Sequence, residues 1–375
     1  MAPAATYFAC LNAAIAGSIA YMPSKYNLVY LSALGYELGP QVVTSAELEE
    51  RLAPVYRTLN IHPGQLEAWT GIAERRWWQP DARLSAGATA AARKALAKTS
   101  VQAADLGVVI YAGVCRENFE PATACAVANA LGVKGGASVY DLSNACLGVL
   151  NGMLDIANRI ELGQIRAGLV VSCETAREIN EIMIARLLQG VAMDKFAEAL
   201  ATFTGGSGAV AMLLTDGSFS GRSGSDNAGH RLLGAVSQVA PEHHQLCRWG
   251  LAPADGLQQA QFMTTDSVSV LKYGVQLGQQ TWQAFLKELD WTPAQVDRVI
   301  CHQVGSGHQD AILASLQLPK EKDYTTYRFL GNMGTAALPV TAAIAEERGV
   351  LKAGQRVGFL GIGSGLTCLM MGLEW

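Results

Sequence analysis

The sequence predicts an α/β chain made of two duplicated halves, and three observations carry that reading. The first is a set of short apolar runs: "LGVVIYAGV" (106–114), "AGLVVSC" (167–173), "GAVAMLL" (208–214), "VDRVICHQV" (296–304), "RVGFLGIG" (356–363) and "TCLMMGLEW" (367–375). Continuous apolar runs rich in β-branched residues suit strands buried on both faces. The second is what lies between them, stretches apolar at helical spacing such as 146–162 and 338–350. Helices covering a mainly parallel sheet follow. The third is internal similarity. "VVIYAGV" at 108 lies over "VICHQVG" at 299, and "LGQIRAGLVV" at 162 lies over "AGQRVGFLGI" at 353. Both matches share an offset of 191 (299 less 108, 353 less 162). At that offset Cys146 falls on Ala337, and His302 on Tyr111. Two such halves bring two helix N-termini to a pseudo-twofold axis, a natural place for a shared site.

Composition bounds the rest. The chain has 375 residues, 50% hydrophobic and 16% charged, with net charge −4. So little charge on a long chain requires a large core or a subunit interface. No basic run or aromatic–basic interleaving is present, which argues against nucleic acid as a partner. The cysteines at 10, 115, 125, 146, 173, 247, 301 and 368 include no C-x-x-C pair. Without an export signal, reduced thiols in a cytoplasmic protein are expected. The uncharged opening "MAPAATYFACLNAAIAGSIAYM" has no basic n-region for secretion and is a poor membrane span. Residues 1–24 are therefore expected to be a disordered extension, or to precede a true start at Met22. The boundaries expected are 1–24 for that extension, 25–222 for the first half and 223–375 for the second, joined through the Gly/Ser-rich 215–230. Segments 176–204 and 241–270 have no counterpart in a minimal α/β repeat and are expected to cap the site.

Four positions could carry chemistry. Cys146 precedes a helix apolar on nearly all sides, and a helix N-terminus stabilises a thiolate and lowers its pKa. A buried free cysteine more often simply packs, so this stretch alone leaves both readings open. His302, in "VICHQVGSGH", ends a buried strand where α/β proteins place ligands. A metal shared with His308 is disfavoured, since the spacing of six suits neither helix nor strand and no acidic ligand is near. Asn332 stands in "FLGNMGTAALP" ahead of the second-half helix, although Gly-Asn-x-Gly is also plain turn chemistry. In "GIGSGLT" (361–367), Ser364 sits in a tight glycine turn that offers backbone N–H groups to an oxyanion. No acidic partner follows it, which disfavours a dinucleotide fingerprint.

Taken together, "NACLG" around Cys146, "HQ" at His302 and "GNMG" at Asn332 resemble the thiolase superfamily in its ketoacyl-acyl-carrier-protein synthase III-like branch. The resemblance runs over about residues 26–375. It implies a thiolase-like fold, two βαβαβαββ halves stacked as a five-layer αβαβα core. Within the branch, Glu120 before Pro121 in "RENFEPATACAVANALG" resembles the OleA-type acyl-CoA condensing enzymes rather than the Phe-Pro of the initiating synthases. So do "NACL" and "NGM" (144–153), "RLLQGVAMDKFAEALATFTGGSGAVAM" (186–212), "LCRWG" (246–250) and "HQVGSGH" (302–308).

That likeness implies a non-decarboxylative, head-to-head Claisen condensation of two long-chain acyl-CoAs to a 2-alkyl-3-oxoacid. The implied roles are Cys146 as nucleophile, the N–H groups of Cys146 and Ser364 as oxyanion hole, and His302 and Asn332 as enolate donors. Glu120 is implied as the base, reaching in from the partner of a homodimer. Trp69, Arg75 and Arg248 are implied as CoA contacts. No cofactor or metal is expected beyond acyl-CoA as substrate, and downstream pathway enzymes are the other expected partners. Two departures concern the site: no His precedes Gly-Asn, and Trp69 stands where an Arg is usual. The rivals are a decarboxylative synthase III or natural-product ketosynthase, a degradative thiolase using Cys368, and a catalytically silent partner subunit.

Overall fold

The structure is a computed structural model that describes residues 22–190, 192–219, 229–253 and 259–375. The expected extension up to residue 21, and the half-to-half junction at 222/223, lie outside the described residues. The described strands are β1 (Met22–Lys25), β2 (Tyr30–Leu38), β3 (Gln41–Thr44), β4 (Glu74–Trp77), β5 (Leu106–Ala112), β6 (Ser138–Leu142), β7 (Ala167–Glu174), β8 (Gly208–Thr215), β9 (His230–Val239), β10 (Cys247–Pro253), β11 (Gln259–Thr265), β12 (Arg298–Cys301), β13 (Arg356–Gly363) and β14 (Thr367–Glu374). All six apolar runs of the sequence became strands. Met22–Lys25 pairs with β9, so the sheet takes in Met22 to Ser24, which the sequence had assigned to the extension.

Ten strands form one hydrogen-bonded path, β12-β13-β14-β9-β2-β8-β7-β5-β6, with β1 alongside β9. The halves meet where β2 touches β9 at only two residue pairs. The sheet is mixed rather than mainly parallel. Only β5–β6, β5–β7 and β12–β13 run parallel. Continuous apolar runs report burial of both faces, which any central strand has, and carry no information on direction.

Alternation along the strands shows where the layers lie. In the first half, Ile110, Val170 and Met212 face one core cluster, while Val109, Val171 and Leu213 face another. In the second half, Phe359 and Met371 face the first cluster, and Leu360 and Met370 face a third. The shared cluster holds the helices Gly148–Glu161 and Ala337–Glu347 between the two sheet halves. Helices Leu84–Ala97 and Thr123–Leu131 cover one outer face, and Ser267–Leu289 and Ser306–Leu316 the other. This is the five-layer arrangement expected. The alanines of Leu84–Ala97 let it approach closely: a Cβ on Gly35 of β2 would stand 2.2 Å from the Ala91 carbonyl oxygen.

The repeat is real, but its spacing differs from the sequence match. Matching element starts, Ala145 and Gly334, Gly148 and Ala337, Ala167 and Arg356, lie 189 apart (334 less 145, 337 less 148, 356 less 167). Cys146 therefore pairs with Thr335, not Ala337. The sequence match was anchored on similar loops ahead of β7 and β13. There the second-half helix is shorter, 11 residues against 14, and its following loop is longer.

The two insertions fold together as a cap. Helices Arg177–Leu188 and Met193–Ala199 and the turn Leu200–Thr204 pack on the β10–β11 hairpin. Ile184, Phe196 and Phe203 pack inward with Tyr56 and Trp77. No helix among the described residues is long and apolar enough to cross a membrane.

Candidate active site

A cavity of about 730 Å³ opens where the cap meets the carboxyl ends of β7 and β12. Cys146, His302, Asn332 and Ser364 all line it.

Cys146 stands in a 3-10 turn, Ala145–Leu147, directly after β6 and before the helix that begins at Gly148. Ala145 has φ 45°, a left-handed backbone that alanine adopts only at a cost of about 1–2 kcal/mol. That kink turns the chain sharply at the nucleophile. The glycine turn lies against it: a Cβ on Gly363 would come 3.4 Å from the Cys146 nitrogen. This closeness, with Ser364 next in the chain, suits the pair of N–H groups expected as an oxyanion hole.

The thiol itself departs from expectation. Burial, then the neighbouring Cys247 and Glu174, push its pKa up to about 12. Cys146 stands in the 3-10 turn two residues ahead of the helix, and burial outweighs the field of that helix end. Desolvation wins, so the resting group is a thiol and needs a base to become a nucleophile.

His302 lines the same cavity. Its backbone N–H donates to the Leu360 carbonyl (3.0 Å), which fixes it at the end of β12. Burial and then His308 lower its pKa to about 4. The imidazole is thus neutral at pH 7, able to accept a proton. Its Nδ1 is buried with no hydrogen-bond partner among the described residues. The neighbouring Gln303 is structural. It accepts from the N–H groups of Thr326 (2.8 Å) and Tyr327 (3.2 Å) and donates to the Cys301 carbonyl, which pins the segment leading to Asn332.

Asn332 is held on both sides. Its N–H donates to the Thr204 carbonyl (2.8 Å), and its carbonyl accepts from Gly206 N–H (2.9 Å). Its Oδ1 accepts from Gly334 N–H (3.1 Å), which leaves the Nδ2 donors to face a ligand.

The remaining expected residues divide. Trp69 and Arg248 line the cavity; both are exposed, Trp69 edge-on to Phe196 and Arg248 over the Phe262 ring. Arg75 does not: it is wholly buried, with its guanidinium donating to Ser45 Oγ, the Phe203 carbonyl and the Val43 carbonyl. It ties the β3–β4 strand pair to the cap and cannot touch CoA. A charged residue in a short polar run looked exposed because the cap that covers it is far away in sequence. Glu120 is exposed and does not line the cavity of its own chain. Cys368 is buried in β14, and burial pushes its thiol to about 12.

Glu174, at the end of β7, is the residue that sequence reasoning missed. It is buried and lines the cavity. Its carboxylate accepts from Val114 N–H (3.0 Å) and Cys115 N–H (3.1 Å), and from the backbone of Thr335. Burial raises its pKa despite those bonds. A signal was present: a charged residue ends the buried run "AGLVVSCE", as His302 ends its own. Cys247 was also passed over, although its thiol lines the cavity beside those of Cys146, Cys301 and Cys368. Among the described residues, no group of three or more His, Cys, Asp or Glu is placed to hold a metal ion.

Comparison with known proteins follows the same line. Residues 286–375 match the family described as 3-oxoacyl-acyl-carrier-protein synthase III, C terminal. The chain is 55% identical over 351 residues to the acyl-CoA:acyl-CoA alkyltransferase of Shewanella oneidensis, covering 94% of this chain and all of that one. It is 35% identical over 348 residues to the protein of that name from Xanthomonas campestris, covering 92% and 98%. Among solved structures, cerulenin-bound OleA of Xanthomonas campestris superposes with a TM-score of 0.86 at 35% identity, covering 94% and 98%. A serine-for-cysteine variant of that OleA, with bound lauric acid and lauroyl-CoA, gives 0.85 at 34%, covering 93% and 100%.

Proposed function

The chain belongs to the acyl-CoA:acyl-CoA alkyltransferase family of thiolase-fold enzymes, and on that premise we propose that it joins two long-chain acyl-CoAs head to head into a 2-alkyl-3-oxoacid. The observation that carries this is the convergence of Cys146, His302, Asn332 and Ser364 on one largely apolar cavity.

In the first step His302 takes the Cys146 proton as sulfur attacks the acyl-CoA carbonyl. The tetrahedral oxyanion is held by the Cys146 and Ser364 N–H groups, each such donor being worth about 3 kcal/mol. Collapse breaks the carbon–sulfur bond to CoA, and the imidazolium returns its proton to the departing thiolate. The acyl group stays on Cys146.

The second acyl-CoA carries no carboxylate to lose, so its α-proton must be removed by a base. Glu120 of the partner subunit of a homodimer is that base in this reading. Its exposure on the single chain fits a residue that serves another chain's cavity. Neutral His302 and the Asn332 amide donate to the enolate oxygen. The enolate carbon attacks the acyl–Cys146 carbonyl, and collapse releases the Cys146 thiolate, which regains a proton. Water then cleaves the CoA thioester to give the oxoacid. Trp69 and Arg248 hold CoA at the mouth.

The test is purified protein with myristoyl-CoA as sole substrate. Free CoA and the 3-oxoacid are expected. A requirement for malonyl-acyl-carrier protein would replace this reading with that of an initiating ketosynthase.

A further inference from the structure

One stretch of the cavity wall is largely apolar. One wall is a single face of the Ser267–Leu289 helix, with Val270, Leu271, Gly274 and Gly278. The facing wall is one side of the β13–β14 hairpin, Leu360 and Ile362 beside their cross-strand neighbours Met370 and Cys368. Ile312 of the Ser306–Leu316 helix lies against Gly278.

The two glycines are unexplained by backbone geometry. Both lie inside a 23-residue helix, and neither has positive φ. Each costs about 1 kcal/mol of helix stability against alanine. What they supply is room for two isoleucines that line the cavity. A Cβ on Gly274 would stand 3.0 Å from Ile362 Cδ1, and one on Gly278 would stand 2.8 Å from Ile312 Cδ1.

Their order along this stretch follows from the hairpin. Ile362 adjoins Gly363, which meets the Cys146 nitrogen from the other face of the strand, so Gly274 lies at the Cys146 end of the hairpin. Further along, Phe285 and Leu289 of the same helix meet Gly372 of β14, at the end of the hairpin away from Cys146. Gly278 is therefore deeper than Gly274. The four-residue step from Gly274 to Gly278 advances about 6 Å, the length of roughly four to five methylenes of extended chain.

We propose that Gly274 and Gly278 gauge the length of the acyl chain that Cys146 delivers along this stretch, Gly278 at the deep end and Gly274 at the Cys146 end. The proposal rests on the condensation reading above. It predicts two different cut-offs from two substitutions on one helix face. A single methylene too many for an apolar pocket changes rates by about 10- to 200-fold.

The experiment is intact-mass measurement of acyl-enzyme formation with octanoyl-, dodecanoyl- and hexadecanoyl-CoA. Gly278→Val should lower the hexadecanoyl-to-octanoyl rate ratio by about tenfold or more. Gly274→Val should lower the dodecanoyl-to-octanoyl ratio as well. Adding Ile312→Ala to Gly278→Val should restore hexadecanoyl transfer. Melting curves identify any variant that fails to fold, and Gly278→Ala and Ile312→Ala alone then read the same ratio in opposite directions. Unchanged ratios, or equal losses at every chain length, would overturn the gauge and leave the glycines as packing. Absence of any adduct on the wild-type protein would instead overturn the condensation reading.

Discussion

Two turns of the same kind meet in the middle of the molecule, and only one of them turns its central residue to the cavity. Ala145–Leu147 opens the first-half helix, and Gly334–Ala336 opens the second. Their central residues are Cys146 and Thr335. The Thr335 hydroxyl is spent on structure: it accepts the Val149 N–H (2.8 Å), capping the opposite helix, and the residue is buried. Cys146 lines the cavity instead. The same contrast holds at the strand ends, where β7 ends in Glu174 and β13 in Gly363. The carboxylate of the first braces the Thr335 turn, and the absent side chain of the second makes room for Cys146. A duplicated frame thus puts its polar atoms to bracing on one side and to reaction on the other.

The largest test of that contrast moves the thiol. Cys146→Ala should abolish the acyl-enzyme, and Cys146→Ala with Thr335→Cys should not regain it, because position 335 is closed off. An adduct on the double variant, seen by intact mass, would erase the distinction between the turns. Next, Glu120→Ala should keep the acyl-enzyme yet lose condensation by about 100-fold or more, the usual scale for a general base. Product assays showing full activity would remove Glu120 from the mechanism.

Much of this was legible in the sequence because each reactive residue sits at a local break in an apolar pattern. His302 interrupts a strand, Asn332 stands between glycines, and Cys146 precedes an apolar helix. What failed depended on contacts distant in the chain. Arg75 is buried by the cap, across 128 residues of sequence. The direction of the Cys146 pKa is set by Cys247 and Glu174 as well as by burial. The pairing with Thr335 needed element ends, which two similar loops had misaligned by two residues.

The two remaining predictions are smaller. With His302 neutral down to about pH 4, acyl-enzyme formation should stay level from pH 8 to about pH 5 and fall as the imidazole gains its proton. A decline centred near pH 6.5 in rapid-quench rates would mean an ordinary, solvated histidine. Thr335→Val should cost about 1–3 kcal/mol in urea unfolding, the penalty of leaving the Val149 N–H buried and unpaired. A neutral result would show that the second turn does not brace the first.

The most direct measurement maps the acyl group after quenching the wild-type protein with myristoyl-CoA. Cys146 and Cys247 line the cavity together with Cys301 and Cys368, so peptide mass spectrometry decides among four thiols. The account predicts a single myristoyl group on Cys146 with Cys247, Cys301 and Cys368 unmodified. A myristoyl group on any of those three, or its persistence in Cys146→Ala, would contradict it.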